Sequence, residues 1–172
     1  DAPASGQRAR SPRRWATRLL TWGGVIGIVL GVATVAGTAL FPEEAERAYG
    51  IVQRDVGAFR VGVLGEVPEA HLGASGGIAE LDRCDGTFTE MLSYEHEGVP
   101  PIWAAHNNCG GDVALPWEVG QQVRIIQADV EQMYVVTDVR ITPKTWVTID
   151  ALVGLGGDFG LPTCFYGENR RK

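Results

Sequence analysis

Residues 19–41, LLTWGGVIGIVLGVATVAGTALF, form a run of apolar and small residues without a single charge. At a rise of about 1.5 Å per residue, such a run spans the roughly 30 Å hydrocarbon core of a bilayer. It predicts a transmembrane helix, because in lipid the backbone has no better hydrogen-bond partner than itself, whatever its glycines cost in water. A cleaved signal peptide is the alternative, but its apolar stretch is usually about 7 to 15 residues long and ends at a small-residue cleavage site. Here the run is longer and Pro42, Glu43 and Glu44 follow it. These are good first-turn residues, and Ala45, Ala48, Tyr49, Val52 and Val56 recur at spacings of three and four, which predicts a short amphipathic helix. Residues 62–86 are rich in glycine, have few apolar clusters, and read as a loop or linker. From Pro100 the period changes. Residues 102–106 and 122–127 read as strands, and over residues 133–141 Val135, Thr137, Val139 and Ile141 alternate with Tyr134, Val136, Asp138 and Arg140. Residues 145–149 continue the pattern; Gly154, Gly156, Gly157 and Gly160 interrupt it before a last run over 161–166. Short strands at this spacing predict a mainly β fold, a closed β-barrel with short helices behind a single transmembrane helix.

Length and charge add topology. A chain of 172 residues, 45% apolar, holds about one domain. Its charge is asymmetric: Arg8, Arg10, Arg13, Arg14 and Arg18 face only Asp1 in residues 1–18, whereas the segment from Pro42 onward has 10 basic and 20 acidic residues. Such an acidic segment repels phosphate backbones, so nucleic acid is excluded as a partner. The positive-inside rule keeps a basic tail (1–18) in the cytoplasm and places residues 42–172 outside, with 42–94 a membrane-proximal helix and Gly-rich linker and 95–172 the β-barrel domain. Trp15 and Trp22 fit the interfacial region of the helix.

That placement gives meaning to three cysteines, since thiols outside the cytoplasm tend to be oxidised in pairs. A natural division pairs Cys84 with Cys109, a closure worth about 3 kcal/mol in the chain-entropy model, and leaves Cys164 free. Zinc held by Cys84, Cys109 and His106 is the competing reading, without the CxxC or HxxxH spacing of known zinc sites. A reactive thiol needs a base or cation beside it, because the thiolate is the nucleophile. His106 is the best candidate: it ends a predicted strand and opens the polar loop Asn107-Asn108-Cys109-Gly110-Gly111, whereas His71 and His96 sit in charged, less ordered surroundings. On composition alone, a buried structural cysteine and a hydrogen-bonded histidine are the commoner arrangement.

The surrounding sequence changes that balance. Leu161-Pro162-Thr163-Cys164, followed by Arg170 and Arg171, resembles the Leu-X-Thr-Cys and downstream Arg signature of the sortases. Ala105-His106 is similar to that family's histidine at a strand end. Trp117 to Val123 resembles its Gly-Asp-X-Val turn into a strand, and Tyr134 to Val139 the strand after it. The likeness covers about residues 95–172, and the His-Asn-Asn-Cys-Gly-Gly stretch is similar to an actinobacterial branch. Two departures are Gly160 where the family has Thr, and Pro162, which lacks the backbone N–H of an ordinary strand residue. A sortase also continues past the position of Lys172 into the strand that closes its barrel, which makes this sequence look truncated.

The resemblance implies a cysteine transpeptidase. Cys164 is the expected nucleophile, His106 the proton carrier, and Arg171 or Arg170 the cation at the oxyanion, with Arg171 preferred because a Lys follows it. Leu161, Thr163, Ala105 and Asn107 are the expected substrate contacts. The implied partners are a secreted protein bearing a C-terminal sorting signal and an amine acceptor, a peptidoglycan precursor or a pilin lysine. No cofactor and no metal are expected. The alternatives are a catalytically silent, membrane-anchored β-barrel that binds surface polypeptides, and a cysteine endopeptidase whose acyl-enzyme ends in water.

Overall fold

A computed structural model describes residues 12–144 and 149–172 of the chain. Most of the expected basic tail (residues 1–11) and most of the expected strand at 145–149 therefore lie outside the described residues. The chain divides into two compact units, residues 1–42 and 43–172.

The first unit is one helix, α1 (Pro12–Leu40, 29 residues). Its Leu19–Leu40 portion has a mean hydropathy of 2.0 and is long and apolar enough, by length and composition, to cross a membrane. Its apolar side chains, Leu20, Ile28 and Val35 among them, are exposed along its length.

In the second unit, α2 (Pro42–Gly62, 21 residues) begins with Glu43 and Glu44 in its first turn, where carboxylates favour the positive end of the helix dipole. One face of α2 is packed closely. A Cβ at Gly50 would stand 2.7 Å from Cβ of Tyr166, and Gly57 meets Pro116 at 3.0 Å. On the same side Arg54 lies 5.5 Å over the Phe165 ring. Val52, Val56 and Phe59, on the other side, are exposed.

The glycine-rich segment expected to be a linker instead carries the centre of the sheet. Strand β1 (Glu69–Gly76) buries Ala70 and Leu72, the short helix α3 (Ile78–Leu81) follows, and β2 (Phe88–Met91) buries Phe88, Thr89 and Met91. Next come β3 (Trp103–Ala104), β4 (Gln122–Gln127) and β5 (Val130–Val135). The five make one sheet in the order β3-β2-β1-β4-β5, with β1 parallel to both neighbours and the outer pairs antiparallel. Ala70, Phe88, Trp103, Trp117, Val123 and Ile125 form its core. Gly73 packs directly against the Thr87 side chain, an approach that leaves no room for a Cβ. The β4–β5 hairpin turns on Ala128 and Asp129, both in the left-handed region (φ 46° and 67°), so it is tight although it lacks glycine.

Beyond β3 the strand order continues through single bridges, Ile102 parallel to Gly160 and Cys164 antiparallel to Arg171, and through the ribbon of β6 (Thr142–Pro143) with β7 (Arg170–Arg171). The order stops there. The expected closed barrel is therefore corrected to an open sheet, and the expected mainly β composition to a mixed one in which α1 and α2 are the longest elements. The physical reason lies at Val135. There β5 ends, Val136 keeps one more bond in the same register (N–H to Gln121 O, 2.9 Å), and residues 137–141 form no strand, so among the described residues no ladder joins β5 to β6.

Candidate active site

The Cys164 neighbourhood is set by two flanking strands. On one side, Thr163 and Lys172 exchange both backbone hydrogen bonds at 2.9 Å, and Phe165 N–H bonds to Arg170 O at 3.0 Å. Cys164 and Arg171 between them are directly opposed residues of a non-hydrogen-bonded pair, the kind in which side chains share a face and stand closest. Arg170 therefore points to the opposite face, where it lies 5.2 Å over the Phe165 ring and pairs with Glu168. Alternation alone left the two arginines open; the register puts Arg171 across from Cys164. Arg171 is half-buried, and its Nη1 donates to Tyr94 Oη at 3.4 Å.

On the other side, Trp103 N–H bonds to Gly160 O (2.9 Å) and Ala105 N–H to Pro162 O (3.3 Å). The pairing that begins at Ile102 and Gly160 has its last bond between Ala105 and Pro162; His106 lies one residue, and Cys164 two residues, beyond it on their segments. His106 is extended (φ −65°, ψ 143°) and leads into the turn of residues 107–109. Its Nε2 lies 2.9 Å from Oδ1 of Asp82. Cys164 is half-buried and free, and among the described residues its thiol makes no hydrogen bond with His106 or Arg171.

Asp82 follows α3 and had no distinguishing signal in the sequence. Two residues on, Cys84 lies at disulfide-bonding distance from Cys109, with Cα atoms 4.9 Å apart. That bond occupies the two thiolates a zinc site with His106 would need, and among the described residues no group of three or more His, Cys, Asp or Glu could hold a metal ion. The crosslinked loops touch closely: a Cβ on Gly110, itself in the left-handed region at φ 93°, would stand 2.9 Å from Gly86 O.

The expected substrate contacts divide. Leu161 lines a groove of about 520 Å³. Thr163 is buried at 3% exposure, turned toward Gly111 and away from any opening, with an unpartnered hydroxyl among the described residues. Ala105 is buried behind its hydrogen bond to Pro162. Asn107 takes its own neighbour's N–H on Oδ1 (3.0 Å) and accepts the Tyr166 hydroxyl on its carbonyl (2.9 Å). The groove runs from Tyr134 and Val136 past Trp117 to Arg171 and Lys172, mostly through apolar side chains; Cys164 and His106 do not line it. Arg171 both lines the groove and opposes Cys164. Arg140 holds one groove wall, donating to the carbonyls of Ala151 (3.0 Å), Val153 (3.2 Å) and Gly154 (2.7 Å) while pairing with Asp138.

Two nearby groups are shifted. Burial, and then the Asp112 carboxylate 3.2 Å away, push the Tyr166 hydroxyl far above its usual range, so it stays a donor into the loop after His106. Burial holds the Lys172 ammonium below its usual range, with Glu118 opposing the shift and Arg54 adding to it. Lys172 Nζ donates to Leu115 O at 2.8 Å and to Trp117 O, fixing the last residue of the Cys164–Arg171 ladder. No family model matches the chain, and neither a curated protein nor a solved structure matches it.

Proposed function

We propose that this chain is a membrane-tethered cysteine transpeptidase of the sortase type, its N-terminus cytoplasmic and residues 43–172 extracytoplasmic. One observation carries the reading: Arg171 opposes Cys164 across a strand pair, and on the other flank the segment that leads into His106 is bonded to the segment that leads into Cys164, Ala105 N–H to Pro162 O. These are the nucleophile, cation and proton carrier of an acyl transfer. In the first half, the Cys164 thiolate attacks a carbonyl carbon of the sorting signal, the C–N bond breaks, and His106 gives the departing amine its proton. In the second half, His106 takes a proton from the incoming amine, which displaces Cys164 from the thioester and restores the thiolate. Arg171 donates to the oxyanion of each tetrahedral intermediate, a contribution typically worth about 10²–10³-fold per donor. The groove that ends at Arg171 suits an extended apolar stretch of the substrate.

A catalytically silent binding module is favoured by a different observation: the His106 ring is engaged by Asp82 and, among the described residues, has no hydrogen bond with Cys164. The two readings separate in one experiment. The full chain in detergent is incubated with a pool of threonine-containing peptides and read by intact mass. The transpeptidase gives an acyl adduct that hydroxylamine removes, that Cys164→Ala abolishes, and that an added amine converts to a longer peptide. A binding module gives no adduct, and an endopeptidase gives cleavage that the amine does not divert.

A further inference from the structure

Among the described residues, His106 Nε2 has one partner, Asp82 Oδ1 at 2.9 Å, and Asp82 is not in any pattern that the transpeptidase reading uses. Both side chains are substantially exposed (42% and 59%), so their attraction alone is worth little against side-chain entropy and does not hold them together. What holds them is the backbone. Asp82 lies two residues before Cys84 and His106 three before Cys109, and the Cys84–Cys109 bond joins the two loops. Each loop is also fixed on its own side. Glu80 accepts the Gly77 N–H (2.8 Å), Asp85 accepts the Thr87 N–H (3.0 Å), and His106 O accepts the N–H groups of Cys109 (2.9 Å) and Gly111 (3.0 Å).

We infer that Asp82 is a positioning residue for His106, and that the Cys84–Cys109 bond exists to keep the two side chains in register. This rests on the proposed role of His106. An ionised carboxylate can only accept, so Nε2 carries the proton and the lone pair of the neutral imidazole is on Nδ1. Asp82 thereby fixes which ring nitrogen receives a proton, as the third group of an acid–base pair does.

The test reads the tautomer directly and does not depend on activity. The full chain, labelled with ¹⁵N-histidine and held in detergent, is examined by long-range ¹H–¹⁵N correlation at a pH where the ring is neutral, with His106→Gln assigning the signal. A ring held wholly as Nε2–H is expected in the wild type. Asp82→Ala, and Cys84→Ser with Cys109→Ser, should relax it toward the mixed tautomer population of a free imidazole, and Asp82→Glu should keep it Nε2–H. In parallel, alkylation of Cys164 should slow by about tenfold in Asp82→Ala, less than the roughly 10²–10⁴-fold typical of losing an acid–base group outright. An unchanged tautomer population in Asp82→Ala and in the double serine variant overturns the inference. A shifted tautomer with unchanged Cys164 alkylation upholds the positioning and overturns the transpeptidase reading.

Discussion

Gly111→Ala tests the packing behind the candidate site. An added Cβ would stand 2.5 Å from Thr163 Oγ1, 2.7 Å from Ala105 O and 2.8 Å from His106 O, all well inside ordinary van der Waals contact. The two carbonyls belong to the segment that ends in His106, and Ala105 is hydrogen-bonded to Pro162, so they can give way only by disturbing the strand pair. Overpacking of this kind typically costs about 1–3 kcal/mol. With a urea slope of about 2 kcal/mol per molar, the unfolding midpoint should fall by roughly 1 M. Tryptophan fluorescence during urea unfolding of the full chain measures it, since Trp103 and Trp117 are buried in this unit. Gly77→Ala is the control, because nothing lies within 4 Å of a Cβ there. Adding Thr163→Ala to Gly111→Ala should recover only part of the loss, because it relieves one contact of three. Equal midpoints for Gly111→Ala and Gly77→Ala would refute the close approach of these segments.

Arg140→Ala should leave three carbonyls of residues 151–154 without their donor and cost about 1–3 kcal/mol; faster limited proteolysis in that loop reads the loss. Arg171→Gln should reduce acyl-adduct formation by about 10²–10³-fold, whereas Arg170→Gln, on the opposite face over Phe165, should change it little. The Gly77 N–H bond holds the Glu80 carboxylate below its usual range, and the Thr87 hydroxyl and N–H do the same for Asp85. Because both folded-state values are depressed, their support of residues 77–87 is full above the ordinary carboxylate range and is lost as pH falls through the depressed values. Amide exchange at Gly77 and Thr87, corrected for its intrinsic pH dependence, should show protection falling on acidification; constant protection would contradict these bonds.

The elements legible in the sequence were those whose signal is local. The apolar run gave α1 its membrane-length segment, Pro42-Glu43-Glu44 marked the start of α2, and the short β-rich run at residues 122–127 marked β4. Strand β1 escaped because it is short of large side chains: only Ala70 and Leu72 face the core, and its glycines serve close approach to neighbours such as Thr87. Alternation over residues 133–141 overran the real strand, since β5 starts at a glycine-free turn and leaves the ladder after Val135. At the candidate site, residue types and order singled out Cys164, His106 and the arginine pair, but choosing between Arg170 and Arg171 required a register that alternation does not contain. Asp82 was invisible for a related reason. Its pairing with His106 comes from a crosslink between loops distant in the chain, and one aspartate in a glycine-rich stretch carries no pattern.

The central claim is that Cys164 is an activated thiol served by His106 and Arg171. Its most direct test is the intact mass of the full chain over time with a limiting thiol alkylator, beside Cys164→Ala, His106→Ala and Arg171→Gln. The account predicts one rapid addition, absent in Cys164→Ala and slowed in both other variants, with Cys84 and Cys109 unmodified. Labelling of Cys164 only after denaturation, or at the same rate in all forms that retain it, would contradict the claim.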